Sequence, residues 1–496
     1  MREPILSLMP KEGSIMSELA SPSAHLVKSS ATPLAQQLAD RFVQRIKAHL
    51  LAPGSRLPSV RQCAAQQQVS TATVVAAYDR LVALGYVEAQ RNRGFYVRPA
   101  QHPGVPLANA PRPHTAPVTP AQRSAPVNAG ALIRGMFHRL SDQPQPGLGV
   151  FPSDWLDNTF LSTAVRQVMA QGVNRFSYEY GEPQGDTGLR RALVGKLGLL
   201  NVTVGADQII TTVGATQALD IVSRTVLRPG DAVMVEEPGW AIEFARLTAL
   251  GMRILPVPRD ANGPNLQVIA NYCANDQPKL YVSVSVLHNP TGYCLPPSSA
   301  YGVLKLAHAH QFWIVEDDTY SHLAPDHATR LCALDGLERT IYIGGFAKVL
   351  APNWRVGYLA APDALREALL ETKLLTTLTT PAFFEKSLAL CIEQGHLRRH
   401  ADRLRARLAQ ARHQSVKLAL AHGCTFAAEP SGLFGWVDTG VDTDALSQHL
   451  FDRGYLIAPG ALFHANRVPS TLMRINFATT QQPAFWKVFG ELVKAA

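Results

Sequence analysis

A chain of 496 residues with 46% hydrophobic content is too long for one ordinary core, so two or more folded units with a connection between them are expected. The formal charge of +9 is uneven: nearly all of the excess lies before residue 131, and residues 26–100 alone hold ten basic and three acidic side chains. No run reaches the ~18 uninterrupted apolar residues of a membrane span, and residues 1–23 carry charges where a signal peptide is apolar. Six dispersed cysteines form no metal or disulfide pattern, so a cytoplasmic protein with no metal centre and no membrane partner is expected. The basic N-terminal footprint suits a polyanion, although charge alone fits a solvated basic face equally well.

In chain order, Thr32-Pro33 place a capping residue and a first-turn proline before Leu34, Leu38, Phe42, Ile46 and Leu50, apolar at helical spacing. Pro53-Gly54 breaks the chain, and Ser59-Val60-Arg61-Gln62 has the form of a capping box that opens a short second helix. Ser70 opens a third helix with Val74, Ala77, Tyr78 and Leu81 facing inward. Gly85 ends it before two strands, 86–90 and 95–98, joined by the basic turn Arg91-Asn92-Arg93-Gly94. Three helices and a basic hairpin make a winged helix-turn-helix over residues 28–98.

Such a fold lays the start of its second motif helix in the major groove, which makes Ser70, Thr71 and Thr73 the candidate base-facing residues. Arg61, in the same helix start as Ser59, is placed to clamp a phosphate or read a guanine edge. Arg91 and Arg93 are candidates for the minor groove or backbone, and Arg56 for a phosphate. The runs Pro-Gly-Ser-Arg-Leu-Pro-Ser-Val-Arg, Val-Ser-Thr-Ala-Thr-Val and Arg-Gly-Phe-Tyr-Val, within residues 32–98, resemble the DNA-binding domain of GntR-family bacterial regulators. That resemblance implies double-stranded operator DNA as a partner. Thr71 stands where the family usually has a basic residue.

Residues 99–129 are rich in proline and alanine without periodicity and are expected to form an extended linker. From 130 to 496, apolar runs at 208–213, 232–236, 280–287, 312–316, 340–344 and 355–360 alternate with helical stretches. This pattern predicts an α/β fold with a mainly parallel sheet, followed from about Pro381 by long helices and a smaller α+β region.

Pyridoxal-phosphate chemistry needs a lysine for a Schiff base, an acid against the pyridine nitrogen, a phosphate cradle and a group on the ring oxygen. Lys348, in Gly344-Gly345-Phe346-Ala347-Lys348, is the candidate catalytic lysine, and Arg355 follows it to hold phosphate. Asp317 is placed to keep the ring nitrogen protonated, with Tyr320 shortly after it. Gly214, Ala215 and Thr216 stand between a strand and a helix, the geometry of a phosphate site. Asn289, in His288-Asn289-Pro290-Thr291-Gly292, is a donor for the ring oxygen, and Trp240 a stacking surface.

The Asn-Pro-Thr-Gly turn, the Asp317-x-x-Tyr320 pair and the Lys348 to Arg355 spacing resemble class I aminotransferases of fold type I, over roughly residues 130–496. The resemblance implies pyridoxal 5′-phosphate as cofactor and a head-to-tail homodimer. It assigns Tyr180 to the phosphate of the partner subunit and Arg474 to a substrate or effector carboxylate. Gly345 departs from the pattern, because related domains often carry a phosphate-binding serine there. A GntR-type winged helix joined to such a domain is the arrangement of the MocR subfamily. It implies a transcriptional regulator that senses an amino compound or the cofactor itself, without net turnover. An active aminotransferase with an appended DNA-binding domain is the alternative that these residues leave open.

Overall fold

The chain separates into two compact units, Met1–Ala125 and Pro126–Ala496. Its computed structural model describes residues 32–47, 51, 54, 56–90, 94–98, 143–156, 159–171, 179–325, 327–350 and 352–495. The wing residues Arg91 and Arg93 and the proline-rich stretch 99–129 lie outside the described residues.

In the first unit, α1 (Leu34–Lys47), α2 (Val60–Gln67) and α3 (Thr71–Ala83) precede the antiparallel pair β1 (Val87–Gln90) and β2 (Gly94–Val97). Leu38 and Phe42 of α1, Cys63 of α2 and the four expected residues of α3 close into one core with Val87 and Val97. The spacing i, i+3, i+4, i+7 puts Val74, Ala77, Tyr78 and Leu81 on one face of α3, and all four are buried. Tyr78 also donates its hydroxyl to the Pro58 carbonyl at 2.9 Å, which ties α3 to the turn before α2. One detail differs from expectation: α1 begins at Leu34, and the Pro33 carbonyl accepts from Gln36 and Gln37, so the proline precedes the first turn.

Ser59 completes a capping box with Gln62, and the Ser70 hydroxyl accepts from the Thr73 amide at 3.1 Å. Such a cap satisfies an amide that has no partner inside the helix. Ser70→Ala is therefore expected to weaken the start of α3 by about 1 kcal/mol. Faster hydrogen exchange at the first α3 amides checks this, and unchanged exchange would contradict it.

The second unit is built on an eight-stranded sheet. Its strands are β3 (Ile209–Thr212), β4 (Ala232–Glu237), β5 (Arg253–Asp260), β6 (Gly263–Pro264), β7 (Leu280–Ser283), β8 (Trp313–Asp317), β9 (Thr340–Gly345) and β10 (Gly357–Ala360). Their order is β3-β10-β9-β8-β7-β4-β5-β6. The neighbours from β9 through β5 pair in parallel, β10 runs against both β9 and β3, and β6 runs against β5. β7 and β9 are buried throughout, which explains their lack of alternation in the sequence. β5 was not among the expected strands, because Pro256 and Pro258 interrupt its apolar run; it lies near the sheet edge, paired beyond β4 only with the two-residue β6, where prolines are tolerated.

β11 (Thr425–Phe426), β12 (Phe434–Asp438), β13 (Ala458–Pro459) and β14 (Leu472–Asn476) form a smaller antiparallel sheet in the order β11-β12-β14-β13. The helices Ala382–Glu393 and His396–Ala421 precede it. The segment around Gly147 joins it too: the Gly147 amide donates to the Leu456 carbonyl at 2.7 Å, and the Asn476 amide to the Pro146 carbonyl at 2.9 Å. Because β10 opposes both of its neighbours, β3 points the same way as β9. The carboxyl ends of β3, β4, β7, β8 and β9 thus share one edge, where open α/β sheets bind their ligands. Among the described residues no helix is long and apolar enough to cross a membrane.

Candidate functional site

Lys348 follows β9 in a turn, and its amine donates to the Gly149 carbonyl at 2.7 Å. The nitrogen lies 5.7 Å from the centre of the Tyr320 ring. Burial, aided by the Arg474 cation and opposed by Asp317, lowers this amine to about 8. A sizeable neutral, nucleophilic fraction then exists near neutral pH. Asp317 ends β8, where its Oδ1 accepts from the Thr319 amide at 3.0 Å and from the Thr319 hydroxyl. Burial raises its carboxyl to about 6 against those hydrogen bonds, and a cationic ring nitrogen beside it would favour the ionised form again.

The candidate phosphate cradle lies at the end of β3. Gly214 caps the helix Ala215–Val226 at a φ of 77°. A Cβ there would fall 2.7 Å from Arg355 Nη2, and one at Gly357 would fall 2.5 Å from the Gly214 carbonyl carbon. That close packing leaves room for backbone alone, and the first-turn amides of Ala215 and Thr216 have no acceptor within their helix. Arg355 is exposed and donates from Nη2 to the Val213 carbonyl at 3.0 Å. A Cβ at Gly345 would lie 3.7 Å from the Ala215 amide nitrogen, so a hydroxyl at this position would face the same helix start.

Arg474 occupies the middle of β14, between Trp436 of β12 and Ala458 of β13. Its Nη1 donates to Asn289 Oδ1 at 2.9 Å and its Nη2 to the Gly147 carbonyl at 2.5 Å. The guanidinium lies 4.4 Å from the centre of the Phe434 ring. It is buried, its Nε has no partner, and no carboxylate pairs with it among the described residues. Burial lowers it to about 10, so it stays cationic at neutral pH. A buried cation without a counter-charge is costly, which favours an anion at this point. Asn289 also faces Tyr320, whose phenol is raised by burial against the pull of Arg474 and Asn289.

The structure thus brings Lys348, Asp317, Tyr320, Asn289 and Arg474 into one electrostatic group, with Gly214, Ala215 and Arg355 in the cradle. Thr216 is exposed in the first turn of the same helix. Trp240 caps the helix Ala241–Ala249 and is half-buried against an apolar cluster of the sheet. No hydrogen bond or ring contact joins Tyr180 to the group among the described residues, and it is 82% exposed. Its segment is nevertheless anchored, because the buried Lys373 donates to the Pro183 carbonyl at 2.7 Å. Gly147, Gly149 and Phe434 escaped the sequence reading. The available signal was the glycine pair in Gly147-Leu148-Gly149: a Cβ at Gly147 would fall 2.4 Å from the Ile457 carbonyl carbon.

In the winged helix, Arg56 is exposed and pairs as a single bridge with Tyr96 of β2. Arg61 is exposed in the first turn of α2, and Thr71 is exposed at the start of α3. The Ser59 hydroxyl is taken up by Gln62, and those of Ser70 and Thr73 bond each other at 2.8 Å. Arg61 and Thr71 form no side-chain hydrogen bond among the described residues, which leaves them open to an outside partner.

The gntR family of bacterial regulatory proteins matches residues 34–97, and aminotransferase class I and II matches residues 148–484. The HTH-type transcriptional regulator YdcR of Escherichia coli K12 is 28% identical over 456 residues, covering 89% of this chain and 94% of that protein. The probable rhizopine catabolism regulatory protein MocR of Rhizobium meliloti is 26% identical over 403 residues, covering 80% and 79%. Among solved structures, a kynurenine aminotransferase of Pyrococcus horikoshii shares the fold at 24% identity with a TM-score of 0.67, over 73% of this chain and 94% of that one. The aminotransferase family implies pyridoxal 5′-phosphate as cofactor, and the cradle, the depressed amine and the acid at the end of β8 fit that group. With a gntR-family domain ahead of a domain that fills more than half of its length, the chain belongs to the aminotransferase class I and II family and is a DNA-binding regulator of the MocR subfamily.

Proposed function

We propose that the large domain binds pyridoxal phosphate covalently through Lys348 and uses it to sense an amino acid or related amine whose carboxylate docks on Arg474. Arg474 carries this reading: it is a buried cation without a carboxylate partner among the described residues, and Asn289 joins it to the site of the depressed Lys348 amine. When bound, the cofactor supplies an aldehyde carbon open to amines and a ring that withdraws electrons. Lys348 offers its neutral amine, and Asp317 holds a proton at the ring nitrogen. The Ala215 and Thr216 amides bind phosphate together with Arg355, while Asn289 and Tyr320 orient the ring oxygen and Trp240 offers a stacking face.

The exposure of Tyr180 supports a head-to-tail homodimer, in which it reaches the phosphate held by a second copy. In the cytoplasm, Arg61, Thr71 and the wing bind operator DNA. Lys348 would hold the cofactor, and the carboxylate of an amino compound bound beside it would pair with Arg474 and so act on β14. The ligand acts on DNA binding only through its differential affinity for two states, a coupling of about 1–3 kcal/mol.

Arg474→Ala tests this reading. The variant is expected to keep the absorption band of the bound cofactor, bind amino acids about ten- to a hundredfold more weakly, and lose their effect on operator affinity. An unchanged response to amino acids would move the signal to the cofactor itself. Full conversion of an amino donor and a keto acid by the wild type would favour a working aminotransferase.

A further inference from the structure

The helix His396–Ala421 turns Arg405 and Arg412 toward a cleft that the site above does not use. The cleft is open to solvent on one side and offers about 400 Å³, within the range of roughly 300–1,000 Å³ found for small-molecule sites. Leu287, Leu323, Pro325 and Leu408 give it an apolar lining, to which Ser431 and Gly432 also contribute. Seven residues of helix separate the two arginines by about 10 Å along the axis, on one face, with Leu408 between them.

The two guanidiniums are not equivalent. Arg405 pairs with Asp402 and donates to the Ala324 carbonyl at 3.1 Å. Arg412 is half-buried and makes one long hydrogen bond, from Nη1 to the Gly432 carbonyl at 3.4 Å. No carboxylate pairs with it among the described residues. Burial lowers its pKa, the mark of a cation held partly out of water without a counter-charge.

We propose that this cleft is a second ligand site, for an amphipathic organic carboxylate whose acid group pairs with Arg412 and whose apolar body lies against Leu287, Leu323, Pro325 and Leu408. Its walls lead to the first site from two sides. A Cβ at Gly432 would lie 3.1 Å from Leu287, and one at Gly292 would lie 2.9 Å from the Ser431 carbonyl oxygen, so the two segments are in close contact. Leu287 stands two residues before Asn289, and Gly432 two residues before Phe434; both Asn289 and Phe434 hold Arg474. An occupant of the cleft therefore presses on both supports of Arg474 and shifts the affinity of the first site for its ligand. This coupling rests on the reading of Arg474 above, whereas the existence of the cleft site does not.

The test uses the full chain with 4-phenylbutyrate as probe and the uncharged 4-phenylbutanol as control, followed by calorimetry and saturation-transfer NMR. Saturable binding of the acid at millimolar concentration is expected, with the alcohol weaker. Arg412→Met is expected to weaken it about tenfold or more and Arg412→Lys to restore part of it, whereas Arg474→Met, checked for folding by circular dichroism, is expected to retain a saturable site. Three results overturn the site: no saturable binding, equal binding by Arg412→Met, or loss in folded Arg474→Met with retention in Arg412→Met. The binding is measured with and without pyridoxal phosphate, so failure of the cofactor reading shows separately as a missing absorption band.

Discussion

Replacing Lys348 by alanine is expected to abolish the visible absorption band that pyridoxal phosphate acquires on the wild-type protein, and to let the cofactor wash out on gel filtration. The nucleophile in the buried group at the strand ends is this amine, and alanine offers neither the nitrogen nor the hydrogen bond to Gly149. Operator affinity without effector is expected to stay as it was. The pH dependence follows from the depressed amine. In the wild type, the rate of cofactor capture rises with pH and levels off above about 8, as the neutral fraction saturates; an unshifted lysine would keep gaining up to about 10.4. The same shift acts on the stability of the cofactor-free protein with a definite sign. A lysine whose folded pKa lies below its unfolded value destabilises the fold, fully so below the folded value. That penalty fades as pH rises from about 8 toward the unfolded value. A band retained in Lys348→Ala, or capture without a plateau, would overturn the assignment.

The second large effect is expected one residue beyond Asp317. Asp318 and Arg330 pair at 2.6 Å with both side chains fully buried, and the Tyr342 hydroxyl donates to the same carboxylate oxygen at 2.9 Å. This pair fixes the chain between Asp317 and Tyr320 and so the acid proposed for the cofactor's ring nitrogen. Arg330→Met leaves the Asp318 carboxylate buried without its cation, and a loss of about 3–5 kcal/mol in unfolding free energy is expected. Burial already raises Asp318 despite Arg330, and removing the cation raises it further. The loss is therefore expected to shrink as pH falls and the carboxyl takes up its proton. The double variant Asp318→Asn with Arg330→Met is expected to recover most of it. Denaturant unfolding followed by tryptophan fluorescence reads these differences, and a loss below about 1 kcal/mol in Arg330→Met would show that the pair contributes little.

Much of the first unit was legible because its information is local. Ser59 and Gln62 stand three residues apart, as a capping box requires, and the four buried residues of α3 lie within two helical turns. The same holds for the residues at the strand ends: an apolar run that closes on Asp317, or on the turn before Lys348, marks the edge where open sheets place their ligands. Boundaries were less legible. The hairpin starts one residue later on β1 and one earlier on β2 than expected, and β5 hid behind its prolines.

By itself, the amino-acid sequence determined the winged helix, the mainly parallel sheet and the order of the chemistry-bearing residues along it, because helical periodicity, capping and burial of a central strand each act within a few residues. Only the tertiary structure decided what surrounds them. Arg474 meets Asn289 across 185 residues and Gly147 across 327. The lowered Lys348 amine, the absence among the described residues of a carboxylate beside Arg474, and the cleft at Arg412 likewise depend on which distant side chains share a buried space. Burial and Coulomb interaction act through space, so no stretch of neighbouring residues encodes them.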